Sequence, residues 1–274
     1  MEDINFTVLM STYWNDNPIL LEKAIESVYE NTIKPDFFIL TIDGPVPNKN
    51  QITINKLKLK YPLEINILKE NIGLANALNS AIKKVKTKWI ARADSDDLNL
   101  PNRFERQIIY AKKGFDVIGS NIYEIDNYNK IELPRLRKKM PINNKQIKRF
   151  SRFRNPINHM TAFYKTEVIK KAGGYPNIYL REDYGLWAKL IYLKKEFINI
   201  DEFLVCVNGG SGLYLRRGGF KNLLGEVKLQ IFLFKNNIQP LHFAVFIFFL
   251  RGLLLLLPKN ILKIFYINFL RGKG

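Results

Sequence analysis

Four short apolar runs alternate with helical patterns through Phe6 to Ala93, and this alternation constrains the fold more than any other feature of the chain. Phe6 to Met10, Phe37 to Ile42, Glu64 to Leu68 and Trp89 to Ala93 are each short enough to read as strands. After the first, Asn17 suits an N-cap and Pro18 the first helical position. Leu20, Leu21, Ala24, Ile25 and Val28 then recur at helical spacing. A second helix is expected near Gln51 to Tyr61, and a third with Leu74, Leu78, Ala81, Ile82 and Val85 inward. Strands alternating with helices imply a parallel sheet with right-handed crossovers. The carboxyl ends of such strands share one edge, where ligands bind.

Polar groups sit at three of those ends. Thr12 and Tyr13 follow the first strand, and Asp43 opens the turn Asp43-Gly44-Pro45 after the second. Asp94, Asp96 and Asp97 follow the fourth. Asp94 and Asp96 are alternate residues of an extended segment, so they face one side. Like charges this close repel unless a cation lies between them, usually a hard metal with oxygen ligands. A solvated acidic turn is the alternative. The chain has no Gly-x-x-x-x-Gly-Lys-Ser/Thr loop and no Gly-x-Gly-x-x-Gly turn after its first strand. This argues against a P-loop NTPase and a dinucleotide oxidoreductase. A divalent cation on the acidic cluster would then hold any ligand phosphate.

Further along, a helix is expected over Arg103 to Lys113 and a strand over Phe115 to Ser120. Asn121 to Met140 is polar, then basic, and reads as an exposed excursion. Asn155-Pro-Ile-Asn-His159 precedes a strand-like run, Met160 to Tyr164. A short helix over Lys165 to Ala172 ends at Gly173-Gly174, which suits a C-cap. In Arg181-Glu-Asp-Tyr-Gly-Leu-Trp187, Leu186 and Trp187 share a helical face with Leu190 and Ile191. Asp183 therefore sits at or just before a helix start. It is either an N-cap, stabilising by about 1 kcal/mol, or a general base at a pocket rim. The helix dipole is expected to lower its pKa.

The formal net charge is +18 and the pI about 9.8, which suits an anionic partner: nucleic acid, a phosphorylated substrate or an acidic membrane. A basic nucleic-acid-binding protein would explain the charge but not the acid cluster. No helix-turn-helix, zinc or RNA-binding signature appears, so no nucleic-acid partner is expected. Cys206 is the only cysteine, so no intramolecular disulfide forms, and a buried apolar role is expected. Met1 to Phe6 lacks the pattern of a signal peptide. Leu241 to Leu257 is almost wholly apolar, interrupted by Arg251 and Gly252 and closed by Pro258. It is short of the ~20 residues of a spanning helix. With the mixed apolar and basic Lys259 to Arg271, it reads as two helices in a membrane interface, basic residues toward anionic headgroups. A core helix pair and a homodimer interface are the other uses of such a segment.

Taken in order, these motifs resemble the family 2 glycosyltransferases of the GT-A fold. The similarity is to bacterial non-processive members that build capsule, exopolysaccharide or lipopolysaccharide. It rests on Ser11-Thr-Tyr13, Asp43-Gly44, Asn71-Ile-Gly-Leu-Ala75 with Ala77-Leu-Asn79, and Ala91-Arg-Ala-Asp-Ser-Asp-Asp97 running into Pro101-x-Arg103-x-x-x-Gln107. Asn155-Pro156 with His159, Gly173-Gly-Tyr175 and Glu182-Asp183 with Leu186-Trp187 complete the set, over roughly residues 4 to 230. A nucleotidyltransferase on a related sheet would want a Gly-rich, Arg-containing loop where this chain has Ser-Thr-Tyr-Trp.

The resemblance implies an α/β GT-A sheet flanked by helices, with a catalytic domain over 1–215 and a helical membrane-associating segment over 216–274. The nucleotide-sugar half would be about 1–120 and the acceptor half about 121–215. Thr12 and Tyr13 would line the nucleotide pocket, and Asp43 would accept from the uracil ring. Asn71 and Gly73 would lie beside the nucleotide, with Arg92 near the diphosphate or base. Asp94 would face the ribose or sugar and help Asp96 hold Mg²⁺ or Mn²⁺. Asp183 matches the catalytic base. His159, Glu182, Trp187, Arg216 and Arg217 are further candidates for diphosphate or acceptor. His159 could equally be structural, and the arginine pair a solvated turn. The reaction implied is inverting transfer from a nucleotide-diphosphate sugar to a glycan or a polyprenyl-diphosphate-linked acceptor, on the cytoplasmic face of the membrane. Two departures stand out. Asp43-Gly44-Pro45 replaces the two acids and Gly-Ser of many members, and no Gln-x-x-Arg-Trp motif of processive synthases is present.

Overall fold

The structure, a computed structural model, describes residues 4–125, 136–208 and 220–255. Its first half runs β1 (Phe6–Thr12), α1 (Pro18–Tyr29), β2 (Phe37–Asp43), α2 (Asn48–Lys60), β3 (Leu63–Leu68), α3 (Leu74–Lys84) and β4 (Trp89–Arg92). These are the expected strands and helices. Asn17 caps α1 by accepting the Ile19 N–H at 2.9 Å, with Pro18 at the first helical position. The strands pair in parallel in the order β3-β2-β1-β4.

Alternation along β1 builds a core on each face of the sheet. Phe6, Val8 and Met10 pack with Leu21, Ala24, Ile25 and Val28 of α1. Leu9 faces the other way, onto a cluster holding Leu78 and Ala81 of α3. The two layers leave the carboxyl ends of β1, β2 and β4 at one edge.

The second half is mixed rather than parallel. It contains β5 (Leu98–Asn99), α4 (Arg103–Lys112), β6 (Val117–Ile125), β7 (Leu136–Lys138), α5 (Asn144–Phe150), a 3₁₀ turn (His159–Thr161), β8 (Phe163–Lys165), α6 (Thr166–Lys171), α7 (Glu182–Tyr192) and β9 (Phe197–Asn208). The sheet continues from β4 through β8 and β6 to β9 and β5, with β7 on β6. β8 is antiparallel to β4 and β6, while β6 and β9 are parallel. Residues 121–125 are therefore not an exposed excursion: Asn121, Ile122, Glu124 and Ile125 are buried in β6. Their partner β9 went unrecognised because Asp201-Glu202 interrupts its apolar run and the β6–β9 register shifts around Asn121. The unanticipated α5 carries a legible signal, a capping box from Asn143 to Gln146.

Helix α8 (Phe220–Lys235) packs Leu229 and Leu233 against Ile178, Tyr184 and Ala188, so it is joined to α7. Helix α9 (Leu241–Leu255) lies beside α8. Among the described residues no helix is long and apolar enough to cross a membrane. Arg216, Arg217 and Lys259 to Arg271 lie outside the described residues.

Candidate active site

The acidic loop leaves β4 and is clamped from several sides. Asp94, Asp96 and Asp97 each offer a carboxylate oxygen, all within 4.8 Å of one another. Arg92 is almost completely buried; its Nη2 meets Asp94 Oδ1 at 2.6 Å and its Nη1 donates to the Leu9 carbonyl. The Arg92 guanidinium thus orients Asp94. Asp97 is buried and accepts the Asn208 N–H at the end of β9. Burial and the neighbouring Asp96 and Asp94 push its carboxyl well above the usual range. Asp97 belongs to the cluster no less than the Asp94–Asp96 pair read from the sequence. Hard oxygen ligands so close, with charge left to neutralise, fit a divalent cation.

The motif Pro101-x-Arg103-x-x-x-Gln107 serves as scaffold. The buried Arg103 donates from Nη2 to the Arg92 carbonyl at 2.7 Å, from Nη1 to Asn99 Oδ1, and from Nε to Gln107 Oε1. Gln107 Nε2 in turn donates to the Thr161 carbonyl at 2.6 Å. Burial lowers the Arg103 pKa to about 9.

Asp43, at the end of β2, holds the loop before α3. Its two carboxylate oxygens accept the Ile72 N–H at 2.8 Å and the Gly73 N–H at 3.0 Å. Asn71 Nδ2 donates to the Asp43 carbonyl. Asp43, Asn71 and Gly73 are therefore one unit. Gly44 makes the unit possible: its φ is +83°, and a Cβ there would fall 2.6 Å from the Asn71 backbone nitrogen.

Thr12 is buried at the end of β1, and Tyr13 is half-exposed beside Trp14. Sequence reasoning missed Asp16 in this loop. Its Oδ2 accepts from Ser95 Oγ at 2.7 Å, tying the β1 loop to the acidic loop. Burial raises its pKa, and the Ser95 and Thr12 hydroxyls oppose the shift. The signal was weak, one carboxylate in a polar turn.

Asp183 is the second residue of α7, and Arg181 is the N-cap without a capping side chain. The simple N-cap reading of Asp183 therefore fails. Asp183 Oδ2 accepts from Asn155 Nδ2 at 2.6 Å, and Oδ1 from the Tyr184 N–H at 2.7 Å. Its pKa is raised, not lowered as the helix dipole alone predicts. Burial dominates, and the charge of Asp94 adds to it against the two hydrogen bonds. Burial and then Asp183 push neighbouring Glu182 to about 7. The charge of Asp94 acts on both of these adjacent carboxyls.

Trp187, on the same helix, belongs to a buried aromatic cluster. His159 Nε2 meets Tyr175 Oη at 3.0 Å, and Tyr175 Oη meets Tyr164 Oη at 2.9 Å. Burial and the Arg92 charge lower the His159 pKa well below normal, so the ring is neutral. Trp187 is fully buried against His159, Tyr164 and Tyr175. Its side chain is closed to solvent. Cys206 is buried as expected.

A parallel half-sheet with carboxylates at its carboxyl edge, extended by a mixed half that brings a second acidic pair, is the layout of a GT-A sugar transferase. The model of the family described as Glycosyl transferase family 2 matches residues 7–173, and the chain belongs to that family. It is 32% identical over 265 residues to the amylovoran biosynthesis glycosyltransferase AmsE of Erwinia amylovora, covering 95% of this chain and 97% of that one. It is 35% identical over 233 residues to the UDP-Gal:alpha-D-GlcNAc-diphosphoundecaprenol beta-1,3-galactosyltransferase of Escherichia coli, covering 85% and 84%. Among solved structures, S. aureus TarS 1–349 in complex with UDP-GlcNAc aligns over 88% of this chain and 69% of its own, with a TM-score of 0.65 and 15% identity. Mannosyltransferase PcManGT of Pyrobaculum calidifontis, in complex with GDP-Man and Mn²⁺, aligns over 95% and 78% with a TM-score of 0.62 and 16% identity. The protein is a glycosyltransferase.

Proposed function

We propose that this glycosyltransferase moves a sugar from a UDP-sugar, with inversion, to a lipid-linked glycan acceptor in bacterial surface-polysaccharide synthesis. The observation that supports the mechanism is an acidic cluster, Asp94, Asp96 and Asp97, together with a separate carboxylate, Asp183, that is held by Asn155 and feels the charge of Asp94. Asp96, with Asp94 and Asp97, would hold Mg²⁺ or Mn²⁺, which when bound supplies Lewis acidity to the leaving diphosphate. Arg92 keeps Asp94 in place, and the Asp43–Asn71–Gly73 unit, with Thr12 and Tyr13, forms the nucleotide side. Asp183 takes the proton of an acceptor hydroxyl as that oxygen attacks the anomeric carbon. The bond from that carbon to the diphosphate breaks on the opposite face, so an α-linked donor gives a β-linked product. Asn155 fixes Asp183 for this role, and its raised pKa makes it a stronger base than a solvated aspartate.

The acceptor assignment follows the named Escherichia coli relative, which acts on a diphosphoundecaprenol-linked sugar. The tail supports it. Leu241, Val245, Phe246, Phe249 and Leu250 are exposed on α9 and fall at helical spacing. We read residues 1–215 as the catalytic domain and 216–274 as a segment that lies on the cytoplasmic membrane surface. Arg251 departs from that reading: it turns inward to Glu226, not outward to headgroups.

The test is UDP release and product NMR with UDP-galactose, UDP-GlcNAc and related donors on a diphospho-alkyl-linked GlcNAc acceptor. A β-linked product formed only with Mg²⁺ or Mn²⁺ is expected. Retention of configuration, or turnover unaffected by EDTA, overturns the mechanism.

A further inference from the structure

The one glutamate of α8 is completely buried and sits between two arginines. Glu226 Oε2 accepts from Arg181 Nε at 2.8 Å, and Oε1 pairs with Arg251 Nη1 at 3.0 Å. Gln230 Nε2 also donates to Oε1. Arg181 is the N-cap residue of α7, directly before Glu182 and Asp183. Arg251 comes from the apolar α9, and its guanidinium lies 5.6 Å from the ring centroid of Tyr184, the residue directly after Asp183. One carboxylate therefore joins three helices around the first turn of α7.

The backbone is built for this approach. Gly225 lets α8 come against the 179–181 turn, because a Cβ there would meet the Tyr179 carbonyl oxygen at 2.7 Å and Arg181 Nη1 at 3.0 Å. Gly185 does the same on α7, where a Cβ would fall 2.6 Å from Pro176 Cγ. Leu180, just before the N-cap, has φ +55°, a left-handed conformation that residues other than glycine rarely adopt. The Arg181 side chain makes no capping hydrogen bond, and among the described residues Glu226 is the one charged group paired with it; the Arg181 backbone N–H donates to the Ile178 carbonyl at 2.9 Å. A buried charge cluster is weak evidence for stability, because desolvation offsets the attraction. Its geometric demand fixes a register.

We propose that Arg181, Glu226 and Arg251 are positioning residues that set the first turn of α7, and so the place of the Asp183 carboxylate. The two C-terminal helices are then part of the catalytic unit and not only its means of attachment. The proposal rests on the assignment of Asp183 as base. A base displaced by about 1 Å costs up to 100-fold in rate.

The experiment compares Glu226→Gln, Glu226→Asp, Arg251→Gln and Asp183→Asn in the full chain. Initial rates are measured with UDP-galactose or UDP-GlcNAc, Mn²⁺ and the diphospho-alkyl-linked GlcNAc acceptor, and folding is followed by circular dichroism. Glu226→Gln is expected to lower kcat about 10-fold or more with donor KM within about twofold of wild type, and to shift the pH profile of kcat. Glu226→Asp restores part of the rate. Arg251→Gln, at the outer and partly exposed arm, lowers kcat less and keeps the proposal testable should Glu226→Gln fold poorly. Wild-type kcat in folded Glu226→Gln or Arg251→Gln, or a loss confined to melting temperature, overturns the proposal. Full turnover in Asp183→Asn would instead sink the base assignment, which separates the two failures.

Discussion

At the residue scale, charge and backbone angle make distinct demands. Asp183→Asn keeps the hydrogen-bonding shape but removes the proton acceptor, so transfer is expected to fall by about 100-fold or more with donor binding kept. Calorimetric titration with UDP beside rate measurement checks both halves. Asp97→Asn relieves repulsion within the acidic loop. Without metal, the variant is expected to melt above wild type; with Mn²⁺, its gain in melting temperature is smaller. Equal Mn²⁺ stabilisation in the two proteins would remove Asp97 from the metal set. Glu182 gives a pH signature. Its folded pKa of about 7 lies above the ordinary 4.5, so its protonated form is the one the fold favours. That contribution is complete below the unfolded value and is lost as pH rises through the folded one. The metal-free protein should therefore lose stability between about pH 4.5 and 7. Glu182→Gln should flatten that slope in urea denaturation.

At the element scale, α4 and β9 together decide where the acidic loop stands. Arg103 reaches back from α4 to the Arg92 carbonyl, and β9 delivers the Asn208 N–H to Asp97. Arg103→Met would leave the Arg92 carbonyl, Asn99 Oδ1 and Gln107 Oε1 without their buried donor. A loss of about 2–4 kcal/mol in denaturant unfolding is expected. A change below about 1 kcal/mol would show that the brace is dispensable. The strands β1 to β4 were legible because each is short, carries apolar residues in a run or in alternation, and is bounded by turn or helix signals. β9 was not, because Asp201-Glu202 breaks its apolar run in two and its partner was needed to define it. Asp183 shows the same division. Its place near a helix start was readable from the Leu186–Trp187 spacing. The direction of its pKa shift depended on burial and on Asp94, which is nearly ninety residues distant in sequence.

At the scale of the whole molecule, the tail changes meaning once packed. As a string, Leu241 to Leu257 is an apolar segment with an awkward arginine. Folded, α9 hides Arg251 against Glu226 and leaves Phe246 and Phe249 more than half exposed. Replacing both phenylalanines by glutamine should weaken sedimentation with phosphatidylglycerol vesicles, with transfer to a water-soluble acceptor unaffected. Undiminished sedimentation would reassign that face, and a dimer in solution that dissociates on the same substitution would identify it as a contact between copies.

The strand–helix alternation, the acidic cluster at a strand end, and the ordered motifs that mark a family 2 glycosyltransferase are all readable along the chain. Those features are local: periodicity, turn chemistry and spacing act over a few residues. Folding was needed to show that Asp97 joins Asp94 and Asp96, that Arg92 and Arg103 brace the acidic loop, that Trp187 is buried, and that Asp43 holds the loop before α3. It also decided that the C-terminal helices clasp the start of α7. Each depends on which residues far apart in the chain exclude water together, and burial is what turns a listless surface charge into a paired, shifted or positioned one.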